Sequence, residues 1–129
     1  MTRDMDLVRT LLLGMEDPLF DGVRQVRPDP GGGELGVTDA NHAQVAYHLT
    51  LLVEEGFIEG VPGSPMPIVS RLTWKGHEFL DAVRDEDTWS RTKAVGKRAG
   101  ASGIDFLFGI AKEVGKAKIG EVLGGMFGG

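Results

Sequence analysis

The stretch VAYHLTLLVEEGFIEGV, Val45 to Val61, changes its period in the middle, and that change constrains the fold more than any other feature. Val45, Leu49 and Leu52 recur at three- and four-residue spacing, which places them on one face of a helix. Gly56 then stops the helix, because glycine enters the left-handed conformation there without a Cβ penalty. FIEGV continues as a strand, PGSPMP forms a proline-rich tip and IVSRLTW returns as a second strand. A helix that runs directly into a hairpin predicts an α+β domain.

The flanking segments add helices on both sides. In MTRDMDLVRTLLLGMED, Met5, Val8, Leu12 and Met15 share a stripe with Leu11 beside it. The first turn is acidic, as the positive end of a helix dipole favours, and the helix is expected to stop near Asp17-Pro18. VRQVRPDPGGGELGVTD, broken by Pro28, Pro30 and Gly31 to Gly33, reads as two short strands or extended pieces around a loop. Asp39 or Asn41 caps the next helix. Thr73 caps another whose core face is Phe79, Leu80 and Val83. RDED then interrupts it before TWSRTKAV, where Trp89 docks on the body. From Ser102 a glycine-dotted amphipathic helix carries Ile104, Leu107, Ala111 and Val114 on one stripe, with Gly124 to Gly129 expected to fray. The expected organisation is a domain over 1–95 and a C-terminal helical extension over 96–129.

The order helix, extended piece, helix, hairpin, helix resembles a winged-helix domain. More narrowly, RDMDLVRTLLL, YHLTLLVEEGFIEG and LTWKGHEFLDAVRDEDTW together resemble an uncharacterised bacterial and phage family, one of the numbered domains of unknown function with winged-helix character. The resemblance covers residues 3 to about 95. It implies a winged-helix-like α+β domain with a β-hairpin wing. The helix-turn-helix is reduced, because proline- and glycine-broken sequence occupies the place of the helix that braces the recognition helix on phosphates. No activity follows from the resemblance.

Charge bears directly on what such a domain binds. Residues 1–90 hold 7 Lys+Arg against 16 Asp+Glu, a balance of −9, whereas residues 91–129 hold 7 against 3, a balance of +4. On the Val45 helix, Asn41, Gln44, Tyr47, His48 and Leu51 form the expected outward face. Gln and Asn read adenine edges and Tyr reaches phosphate. This helix has no Lys or Arg and ends in Glu54-Glu55, and the wing supplies only Arg71, with Lys75 just beyond. The basic run RTKAVGKRAG offers Arg91, Lys93, Lys97 and Arg98 as phosphate contacts. The same four cations would equally pin the tail onto the acidic body, or face an anionic membrane together with the amphipathic tail.

Catalytic signals are poor, and a non-enzymatic protein is expected. The chain has no Cys, which excludes disulfides, thiolate metal sites and a Cys nucleophile. His42 and His48 lie about 120° apart around a helix and would not share a metal. His77 reads as packed or surface-exposed, and Asp85, Glu86 and Asp87 as caps and solvated charge. Gly31, Gly33 and Gly36 spell a dinucleotide fingerprint, but no strand precedes them and no helix follows. No cofactor or metal is expected. No leader opens the sequence and no apolar run spans a bilayer, so the cytoplasm is the expected location. Two functions compete: a DNA-binding, transcriptional-regulator-like module, possible as a homodimer, and a protein-binding adaptor or phage-type inhibitor that uses the acidic body and the Tyr47–Leu51 face. Membrane contact through the tail ranks behind both.

Overall fold

In the computed structural model, which describes residues 1–29, 33–100 and 103–127, the chain is α+β. Among the described residues it forms five helices, α1 Met5–Gly14, α2 His42–Glu54, α3 Trp74–Val83, α4 Glu86–Ala99 and α5 Ile104–Phe127. One antiparallel pair of strands, β1 Ile58–Val61 and β2 Ile68–Leu72, separates α2 from α3. Two compact units divide between Leu80 and Asp81, inside α3, and the second holds both α4 and α5. The loop expected at Pro30 to Gly32, the start of the tail at Ser102, and Gly128 and Gly129 lie outside the described residues.

In the first unit, the Asp4 carboxylate caps α1 by accepting from the backbone N–H groups of Asp6 and Leu7. The helix ends at Gly14, one turn before the Asp17-Pro18 stop expected from sequence, and Leu7, Val8, Leu11 and Leu12 are its buried stripe. Asp21 accepts from the N–H groups of Val23 and Arg24, which hold its carboxyl below the usual carboxylate range. The chain then runs along β2: Gly22 donates to Ser70 O at 3.0 Å, and Val26 and Val69 exchange two bonds at 2.8 and 2.7 Å. One of the expected extended pieces is therefore real, though it is an isolated bridge and not a full strand. Apart from that bridge, the described segment between α1 and α2 holds only a short 3-10 turn, Gly33–Leu35.

Asn41 caps α2, and Gln44 reaches back to the Asn41 N–H at 2.9 Å, a reciprocal pair that satisfies two orphan donors. Gly56, at φ 80°, turns the chain out of the helix into β1. Glu59 pairs with Arg71 across the hairpin, and a bulge follows at Gly60, where the Ser70 hydroxyl donates to Glu59 O. The Thr73 hydroxyl accepts from Gly76 N–H and donates to Gly56 O, so one side chain ties the end of α2 to the start of α3. Phe57 and Phe79 meet edge-to-face at 5.8 Å inside a core that includes Leu11, Leu12, Leu49 and Leu80.

In the second unit, α4 and α5 pack antiparallel, since Arg91 lies 3.9 Å from Glu121 while Val95 lines one groove with Phe106 and Ile110. Leu107 and Ala111 are buried, Ile104 and Val114 are half-buried, and α5 continues through Phe127 where fraying from Gly124 was expected. Asp85 caps α4, and Lys118 of α5 bonds to that cap. The Lys118 ammonium, then the Thr88 N–H and hydroxyl, lower the Asp85 carboxyl to about 2. A depressed carboxyl pKa contributes stability that is present above the ordinary value of 3.8 and is lost as pH falls through about 2. Carboxyl NMR should therefore find Asp85 titrating near 2, and Lys118→Met should move it up; titration near 3.8 in the unaltered protein would contradict the tie.

Candidate functional site

Helix α2 is positioned by its buried face, Val45, His48, Leu49 and Leu52, and this corrects one expectation at once. His48 is only 1% exposed and does not belong to the outward face. Its Nε2 accepts the Asp4 backbone N–H at 2.8 Å, and its Nδ1 donates to Gln44 O at 2.7 Å. That pair of bonds fits a neutral imidazole with the proton on Nδ1. Tyr47 is half-buried, with its ring edge-on to His48 at 5.3 Å. Asn41 is exposed and Gln44 half-buried, and both side-chain oxygens are used in the capping box. The outward stripe is instead Ala43, Ala46 with Tyr47, Thr50 and Glu54, flanked by half-buried Leu51.

The cations named from sequence have intramolecular partners in most cases. Arg71 lies 2.7 Å from Glu59, its cross-strand neighbour, and also donates to Leu72 O at 3.1 Å. Lys75 donates to Glu55 O at 3.3 Å and sits 4.5 Å over the Phe57 ring. In the second unit Arg91 pairs with Asp87, four residues earlier, at 3.1 Å, and Lys93 lies 5.6 Å over the Trp89 ring. Lys97 and Arg98 are exposed in the last turn of α4, where cations suit the negative end of the helix. These exposed pairs contribute little to stability. Their consequence is electrostatic, since each carboxylate offsets a charge that a phosphate would need.

Sequence reasoning missed a pocket at the N-terminal end of α2. It measures about 250 Å³, and its polar lining includes Asp4, Asp6, Thr10, Thr38, Asp39 and Gln44. Three of its lining side chains are carboxylates and none is Lys or Arg. The signal was present in the Asp residues that precede α1 and α2, but it required knowing that the His48–Asp4 bond brings those two helix starts together. Trp74 was also missed; it is 79% exposed, and its indole N–H donates to Glu78 at 2.8 Å. Among the described residues, no group of three or more His, Asp or Glu is placed to hold a metal. No described helix is long and apolar enough to cross a membrane.

An α+β chain with an acidic pocket beside a helix-to-hairpin unit defines a class only coarsely, and sequence comparison narrows it. The family described as Hypothetical protein (DUF2513) matches residues 2–102, and the chain belongs to it. An uncharacterized protein of Haemophilus influenzae (strain ATCC 51907 / DSM 11121 / KW20 / Rd) is 32% identical over 127 residues, covering 95% of this chain and 99% of the relative. No solved structure matches the chain.

Proposed function

We propose that the first unit is a winged-helix-like, non-enzymatic binding module whose partner is a basic protein surface. The winged-helix part rests on strand order: Val26, β2 and β1 lie side by side in that sequence, and α2 leads straight into the hairpin. The choice of partner is carried by the carboxylate-lined pocket at the start of α2. In a DNA reader, affinity comes largely from cations that neutralise phosphates. Here the helix in the reading position has none, and residues 1–80 hold 6 Lys+Arg against 12 Asp+Glu. A Lys or Arg side chain from a partner protein enters such a pocket favourably, and half-buried Tyr47 and Leu51 on the same helix supply apolar area for anchoring.

The DNA reading keeps one observation on its side, the exposed Lys97 and Arg98 of α4. Titration of the purified protein into random-sequence duplex DNA separates the two. No binding at low salt is expected. In parallel, Tyr47→Ala with Asp39→Asn should abolish capture of the protein partner while leaving the circular dichroism spectrum unchanged. Capture unaffected by both substitutions would remove this surface from the account.

A further inference from the structure

Helix α5 carries a face that the rest of the second unit leaves largely open. Phe106, Gly109, Glu113, Lys116, Gly120 and Leu123 follow one another at spacings of three, four, three, four and three residues. That spacing keeps them on one side of a helix, as in a two-helix seam. Phe106 and Leu123 are each 46% exposed, and the Glu113 and Lys116 side chains are 74% and 73% exposed. Part of this face borders a shallow apolar groove of about 650 Å³ shared with Val95 of α4.

The glycines on this face have no intramolecular explanation. Neither takes a left-handed backbone, and a methyl group built at Gly109 or Gly120 would meet nothing within 4 Å. Glycine is the poorest helix former apart from proline, so its use here weakens α5 without relieving any crowding inside the chain. Close approach of a second backbone would account for both. The face also has a symmetry: Glu113 with Lys116, Gly109 with Gly120, and Phe106 with Leu123 are all centred between Val114 and Gly115.

We propose that this face is an isologous interface between two copies of the chain, with their α5 helices antiparallel about a two-fold axis at the Val114–Gly115 midpoint. In an isologous contact, residue i of one copy meets residue j of the other, and j meets i. Glu113 then faces Lys116 of the second copy, and Lys116 faces its Glu113. The glycine pairs allow the helices to come close on either side, and the Phe106–Leu123 pairs close the two ends. The charge pattern rejects a parallel pairing in register, which would set Glu113 against Glu113 and Lys116 against Lys116. The contact does not use Gly115, which is half-buried on another side of the helix.

The test is the solution mass of the full chain by sedimentation equilibrium, over a concentration series reaching the solubility limit. The intact protein should sediment as a dimer, with circular dichroism as the folding control. Glu113→Lys and Lys116→Glu should each give a monomer, because each places like charges across the axis. Mixing the two single variants should restore a dimer, now between unlike copies. The mixture separates this contact from the intrahelical Glu113–Lys116 pair at 3.3 Å, which mixing cannot repair. Gly109→Leu should also give a monomer while raising the helicity of α5. A monomeric intact protein at every concentration would overturn the proposal. So would a dimer that survives either charge reversal, or single variants that fail to associate when mixed.

Discussion

Gly76→Ala is expected to destabilise the first unit by about 2–3 kcal/mol, the upper part of the range for forcing extra volume into a packed site. Ordinarily the same change in a helix stabilises by about 1 kcal/mol, since alanine loses less backbone freedom. The sign reverses here because the Phe57 carbonyl lies where the methyl group would go, and that carbonyl cannot move cheaply. It already accepts the Thr73 N–H at 3.1 Å, while the Thr73 hydroxyl holds Gly56 O and Gly76 N–H. A methyl group therefore pushes apart the end of α2, the start of β1 and the first turn of α3 together. Amide exchange of Phe57, Val69 and Phe79 under denaturant is the measurement. Equal or slower exchange in the variant would show that α3 does not sit this close to β1.

The second large effect belongs to His48. His48→Ala should cost about 2–4 kcal/mol, combining a cavity with an unpaired Asp4 N–H. His48→Phe retains bulk but loses both hydrogen bonds, and should cost about half as much. Exchange protection at the start of α1 should fall first, because the Nε2 bond to Asp4 holds that end to α2. If His48 were an outward contact residue, both variants would keep full stability and lose only partner binding, which is the opposite pattern. The pocket shared by Asp4, Asp39 and Gln44 should open in both variants, so partner binding is expected to fall together with stability.

Local signals carried much of this fold. Asn41 and Gly56 bracket α2, the proline-rich tip separates two strands, and Thr73 and Asp85 start α3 and α4. Each depends on residues only a few positions apart, and such capping chemistry survives the loss of tertiary context. The outward face of α2 was not legible in the same way. The burial of His48 depends on a backbone N–H 44 residues away, which no periodicity encodes. Three- and four-residue spacing fitted both a polar and a buried position there, because a neutral imidazole accepts either. The cations divide similarly: Arg91 with Asp87 is an i, i+4 pair open to sequence reading, whereas Arg71 with Glu59 needed the hairpin register and Lys118 with Asp85 needed the packing of α4 on α5.

The membership of the chain in its family leaves activity open, so the functional account stands on charge and geometry. The pocket at the start of α2 is lined by three carboxylates and by no Lys or Arg, the reverse of a phosphate-binding surface. The most direct measurement is fluorescence anisotropy of a labelled random-sequence duplex, titrated with the protein at low and then moderate salt. The account predicts no change in anisotropy even at low salt, where non-specific binding through phosphates is strongest. Binding that appears at low salt and collapses as salt rises would contradict it, and would show that Lys97, Arg98 and their neighbours overcome the acidic surface around α2.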